Sequence, residues 1–120
     1  MIRSVHHAQI SIPVGGEDAA RDFYCGVLGL IEIDKPASLA GRGGFWLGLG
    51  EVQIHFGAED GVDRTLTRSH IAYLVTDLDG WRDKLEQNGL SVKDGIPIPN
   101  FRRFEFRDPF GNRVEMIEEV

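Results

Sequence analysis

The chain has a single cysteine, Cys25. An internal disulfide needs two, and a closed structural zinc site draws four strong ligands, usually with several thiolates among them, so neither device holds this protein together. No uninterrupted apolar run approaches the ~18 residues of a membrane-spanning helix. The opening MIRSVHH lacks the apolar core and small-residue cleavage site of a secretory signal, and together with the lone thiol this implies a reducing cytoplasm. Positive charge is short as well. Thirteen Lys and Arg stand against nineteen Asp and Glu, a formal net charge of −6 with the two signs interleaved. The densest basic cluster, Arg102, Arg103 and Arg107, is diluted by Glu105 and Asp108, so no stripe of cations exists to neutralise phosphates and nucleic acid is not an expected partner.

What remains is an ordinary globular composition, 42% apolar and 27% charged over 120 residues, enough for one modest core. The first segment, near Val5 to Ile12, alternates apolar Ala8, Ile10 and Ile12 with polar His7, Gln9 and Ser11, the period of a half-buried strand. After Pro13 and Gly15-Gly16, the residues Ala20, Phe23, Tyr24, Val27 and Leu28 recur at helical spacing, with Glu17 and Asp18 at the start and Gly29 as the C-terminal cap. Three short strands are expected near Leu30 to Asp34, Gly44 to Leu49 and Val52 to Phe56, the first two separated by the loop KPASLAGRGG.

From Ser69 the order restarts. A strand over His70 to Val75 leads to a helix capped by Asp77, with Leu78, Trp81 and Leu85 on one stripe and Asn88-Gly89 as its stop. Strands near Leu90 to Lys93, Phe101 to Arg107 and Arg113 to Glu118 complete the set, the last two joined by the turn DPFGN. His7 and His70 stand 63 residues apart, while VQI at 52–54 and VEM at 114–116 stand 62 apart. The chain therefore reads as two copies of one βαβββ unit, module 1 about 1–60 and module 2 about 67–120, an α+β domain whose halves pair about a pseudo-twofold axis.

Period two also sorts the polar residues. If the apolar set of each strand faces the helices, His7, Gln53, His70 and Glu115 fall on the opposite faces. Two imidazoles and a carboxylate from separate strands suit Fe, Mn, Zn or Ni and leave positions open for substrate, as a catalytic metal requires. Taken singly, each is more often a packed or solvated strand residue; their repeat-equivalent positions favour the joint reading. By the same parity His55 faces the site, as an acid–base group or as a polar residue at a strand end. Glu105 and Arg103 face it if Phe104 and Phe106 face the core. Trp46, in the strand GGFWLGLG, either walls a pocket or packs in the core. His6 is expected on the helix side in a structural role, and Cys25 beside the apolar stripe as an inert thiol.

The stretches HHAQISIP with ARDFYCGVLGL, HIAYLVTDLDGWRDKLEQNG and FRDPFGNRVEMIE resemble the vicinal oxygen chelate superfamily, which holds glyoxalase I, extradiol dioxygenases, fosfomycin-resistance thiol transferases, methylmalonyl-CoA epimerase and bleomycin-resistance proteins. The resemblance covers essentially the whole chain. It implies paired βαβββ modules forming a curled mixed sheet around a pocket, helices on the outer face, and metal ligands at His7, Gln53, His70 and Glu115. Bacterial glyoxalase I typically has Glu where this chain has Gln53, and an amide cannot take a proton. His7, His70 and Glu115 alone are more similar to the three-ligand pattern of the dioxygenases and fosfomycin transferases. The resemblance further implies a small-molecule substrate chelated through its oxygens, with His55 or Glu105 moving protons, Arg103 holding an anionic group, and a homodimer. It implies equally a non-catalytic binder of the bleomycin-resistance type, for which the negative charge would suit a cationic drug.

Overall fold

The computed structural model describes all 120 residues, in two compact units, Met1–Val62 and Asp63–Val120. In the first, strand β1 (His7–Ile12) is followed by helix α1 (Glu17–Arg21), then β2 (Ile31–Ile33), β3 (Phe45–Leu49) and β4 (Val52–Ala58). In the second, β5 (His70–Leu74), helix α2 (Leu78–Gln87), β6 (Lys93–Asp94), β7 (Phe101–Arg107) and β8 (Arg113–Glu119) follow the same plan. Each unit is a four-stranded mixed sheet, ordered β1-β4-β3-β2 and β5-β8-β7-β6. The first and last strands of each unit run parallel and the remaining pairs antiparallel, so the expected pair of βαβββ modules is present.

The apolar halves of the strands make the cores. In the first unit Ile12, Phe45, Leu47, Ile54 and Phe56 are buried with Ala20, Phe23 and Tyr24 of the helical segment, the Tyr24 ring meeting Phe56 at 4.8 Å. In the second, Tyr73, Phe104, Phe106, Val114 and Met116 are buried with Leu78 and Leu85 of α2, and the Arg82 guanidinium lies 5.2 Å over the Phe104 ring. Asp77 caps α2 by accepting from the Gly80 amide, as the sequence implies.

Three details depart from the sequence reading. The first helix is α-helical only to Arg21; over Asp22–Val27 it widens into a π-helical turn, closed by the Leu28 amide on the Phe23 carbonyl. A wider turn sets successive residues closer in azimuth, which lets neighbouring Phe23 and Tyr24 both bury, edge to face at 5.1 Å. Strands β2 and β6 begin later than the apolar pattern implies. Gly29 and Gly89, both at positive φ, end the helical segments, and the following amides of Leu30 and Leu90 turn back to Tyr24 and Leu85 instead of joining a ladder. The loop after β2 also contains a 3-10 segment, Ala37–Arg42.

The turn after β7 sets the register of the strand that carries Glu115. Asp108, buried, accepts from the amides of Phe110 and Asn112, both at 2.9 Å, and from the Asn112 side chain. That clamp places Arg107 opposite Arg113 and hence Glu105 opposite Glu115 and Arg103 opposite Ile117.

Two substitutions test this core. Phe104→Ala should lower unfolding free energy by about 3–5 kcal/mol in chemical denaturation, the range for deleting a buried ring. The Tyr73 hydroxyl is buried without a hydrogen-bond partner, and burial, reinforced by Asp108, pushes its pKa well above the ordinary 10.0. Native protein then keeps a proton that the unfolded chain loses above about pH 10, so stability falls as pH rises past that value. Tyr73→Phe should be as stable as wild type or more so, by about 1 kcal/mol at pH 7, and should flatten the alkaline slope of the melting temperature.

Candidate functional site

Each sheet turns its second face away from its own helix, and the candidate residues lie there. In the first unit the register sets His7 beside Gln53, and His55 between Gln9 and Trp46. Three rings from three strands stack on this face. His7 and His55 lie 4.1 Å apart at 14°, and His55 and Trp46 lie 3.8 Å apart at 2°. Trp46 therefore belongs to the polar face and not to the core. Sandwiched in this way, His55 is only 5% exposed, and its Nε2 donates to Gln53 Oε1 at 2.9 Å. Burial, followed by repulsion from His7 and His6, holds the His55 pKa below its ordinary 6.5, so the ring is neutral at neutral pH.

His6 is not on the helix side. It precedes β1, where strand alternation does not yet apply, and its Nδ1 lies 2.9 Å from Nδ1 of His7, the two rings edge to face. Gln53 keeps an open lone pair despite its bond to His55, because an amide oxygen carries two.

In the second unit Glu115 is the centre. It is 4% exposed, and its Oε1 takes two neighbours: His70 Nε2 at 3.2 Å from the adjacent parallel strand and Arg103 Nη1 at 2.8 Å from the antiparallel one. His70 Nδ1 lies 2.8 Å from the Arg68 carbonyl oxygen. A carbonyl oxygen only accepts, so Nδ1 carries a proton, and Nε2 is the nitrogen turned toward a carboxylate oxygen. Such an arrangement is favourable only with a cation between the two atoms, either a proton or a metal ion. An imidazole held through Nδ1–H by a backbone carbonyl is the usual posture of a metal ligand. Two donors each ~2.1 Å from one ion at right angles stand ~3 Å apart, which the observed separation matches. As a two-donor set the pair therefore fits a divalent ion. Nowhere in the chain do three or more His, Cys, Asp or Glu side chains gather into a set able to hold a metal.

Glu105, the other proton-transfer candidate, is paired with Arg113 across the β7–β8 ladder, both side chains about one-fifth exposed (23% and 22%). The residues whose parts the sequence did not foretell are Arg68, whose carbonyl holds His70 through its Nδ1–H, and Arg113. Only the backbone path before β5 and the cross-strand register reveal them. Cys25 is half-buried, and burial raises its thiol pKa, which leaves it a poor nucleophile.

The family model of the Glyoxalase/Bleomycin resistance protein/Dioxygenase superfamily matches residues 4–116, and the chain belongs to that superfamily, the vicinal oxygen chelate fold. A Bacillus anthracis protein assigned to the glyoxalase family is 38% identical over 100% of this chain and 98% of its own, with a TM-score of 0.92. At lower identity the likeness is one of fold. An antibiotic-binding protein, TnmS3, from a Streptomyces species is 21% identical, covering 99% of this chain and 98% of its own at a TM-score of 0.75. A mutant of the fosfomycin resistance protein FosX from Listeria monocytogenes, solved with Mn(II) and 1S,2S-dihydroxypropylphosphonic acid, is 17% identical, covering 100% and 95% at 0.82. None of the curated proteins compared matches the chain. No helix is long and apolar enough to cross a membrane.

The ring stack makes a spectroscopic prediction. An imidazolium in face contact quenches indole emission, and a neutral imidazole does so much less. In a Trp81→Phe background, Trp46 emission should stay bright on titration from pH 8 through 6.5 and fall only at lower pH, the direction set by the depressed His55 pKa. His55→Phe should remove the transition.

Proposed function

We propose that this protein is a divalent-metal-dependent enzyme acting on a small oxygen-bearing metabolite, a lyase, isomerase, oxygenase or thiol transferase of its superfamily. The observation that carries the reading is the His70–Glu115 pair: a buried carboxylate and an imidazole held by a backbone carbonyl, with Nε2 and Oε1 3.2 Å apart. His70 and Glu115 are the metal donors in this reading; His7 and Gln53, the other expected ligands, lie side by side on the open face of the first unit. An ion held there, Fe, Mn, Zn or Ni, would supply Lewis-acid polarisation of substrate oxygens.

The protein's own groups have separate parts. Arg68 fixes His70. His55, neutral and closed in by His7 and Trp46, orients Gln53 through Nε2–H, so it acts through its neighbours and is a positioning residue. The exposed margin of the His7–His55–Trp46 stack offers a flat surface for a planar or apolar part of the substrate. Glu105, oriented by Arg113, is the carboxylate available for proton transfer, and Arg103 is the cation available for an anionic substrate group. The working form in this reading is a homodimer in the cytoplasm.

A second reading, a binding protein without chemistry, has one observation in its favour. Arg103 already compensates Glu115, so the buried carboxylate is satisfied without a metal.

Metal analysis separates the two. Untagged protein incubated with Fe(II), Mn(II), Zn(II) or Ni(II) and then desalted should retain about one equivalent of one of these ions by inductively coupled plasma mass spectrometry. His70→Ala and Glu115→Gln should each retain about a tenth of that or less, the usual loss for a missing ligand or its support. Reproducible absence of metal from folded wild type would favour the binding protein.

A further inference from the structure

Arg103 does more than face Glu115. While Nη1 donates to Glu115 Oε1 at 2.8 Å, Nε of the same guanidinium donates to the Ile96 carbonyl at 3.0 Å. The loop between β6 and β7, GIPIPN at 95–100, thus rests on the side chain that neutralises the candidate metal ligand. Gly95 makes the close approach possible, because a Cβ there would lie 2.9 Å from Arg103 Cζ and 3.0 Å from Nε. Beyond this anchor the loop is unsheltered: Ile96 is 81% exposed and Ile98 40%. Arg103 itself keeps 17% of its side-chain exposure.

Glu115 Oε1 cannot give full electrostatic compensation both to Arg103 and to a divalent ion, since the two cations would then sit within a few ångströms of each other at a site with little solvent. We infer that Arg103 is the resident counter-cation of Glu115, displaced when a divalent ion binds, and that its displacement releases the Ile96 carbonyl and frees the 95–100 loop to close over bound ligand. Arg103 thereby sets both the affinity of the metal and the order of events: the ion binds first, the loop is released next, and it closes only after the anionic ligand has bound. This inference rests on the metal reading of His70 and Glu115. Its two consequences, a weakened metal site and a metal-responsive loop, are independent of turnover.

The test pairs Mn(II) titration by isothermal calorimetry with amide hydrogen exchange at Gly95, Ile96, Ile98 and Asn100, on wild type, Arg103→Met and Arg103→Lys. Arg103→Met should bind Mn(II) at least about tenfold more tightly than wild type, because no buried pair has to be broken first. In wild type, Mn(II) should accelerate exchange in the loop. In Arg103→Met, exchange should be fast already and indifferent to Mn(II). Arg103→Lys keeps the charge but lacks the fork that reaches two acceptors, so its Mn(II) affinity should stay within about threefold of wild type while its loop exchanges fast without metal. Unchanged or weaker Mn(II) binding by Arg103→Met, beside a wild type that binds Mn(II), overturns the inference and leaves the metal site standing. Loop exchange that ignores Mn(II) in wild type does the same. Failure of both wild type and Arg103→Met to bind Mn(II) overturns the inference and the metal reading together.

Discussion

A carboxylate 4% exposed on the face of a sheet has to be compensated, because an isolated buried charge costs more than a protein of this size can spare. Glu115 is that carboxylate, and the surrounding structure is arranged to satisfy it. The Asp108 clamp sets the β7–β8 register that brings Arg103 within reach, and the parallel pairing of β5 with β8 brings His70. The Arg68 carbonyl holds His70 through its Nδ1–H. Remove any of these and the carboxylate loses a partner without gaining water, which is why the site and the stability of the second unit are linked.

The two units share one topology, yet their open faces have diverged in chemistry. Where the VEM stretch of β8 carries Glu115, the VQI stretch of β4 carries Gln53, an uncharged amide bonded to a histidine. Opposite the strand position where β7 has Arg103, β3 has Trp46, and the charged contact of one unit becomes a ring stack in the other. One repeat thus supplies ionic contacts around a buried carboxylate, the other a stack of two imidazoles and an indole.

Much of this was legible in the sequence because strand alternation is strict. Ala8, Ile10 and Ile12 against His7, Gln9 and Ser11 fixed the facing of β1, and the same parity placed Glu115, Arg103 and Glu105 on one face of the second unit. What stayed hidden depends on contacts across strands or on backbone outside them. Glycines flanking Trp46 blurred its parity until pairing with His55 settled it. His6 lies just ahead of β1, where parity has no force, and the π-helical turn follows from burying Phe23 and Tyr24 together, which no helical wheel announces. The Arg103–Ile96 contact joins a strand to a loop carbonyl, and the only trace of it in the sequence is a glycine at position 95.

Under the metal reading, His70 Nε2 and Glu115 Oε1 are donors to one bound ion. Electron spin echo envelope modulation of the Mn(II)-loaded protein examines that directly, since a coordinated imidazole nitrogen modulates the echo at characteristic frequencies. Strong nitrogen modulation from a directly bound imidazole is expected, reduced in His70→Ala. A spectrum showing only water protons around the ion, as for Mn(II) free in buffer, would contradict it.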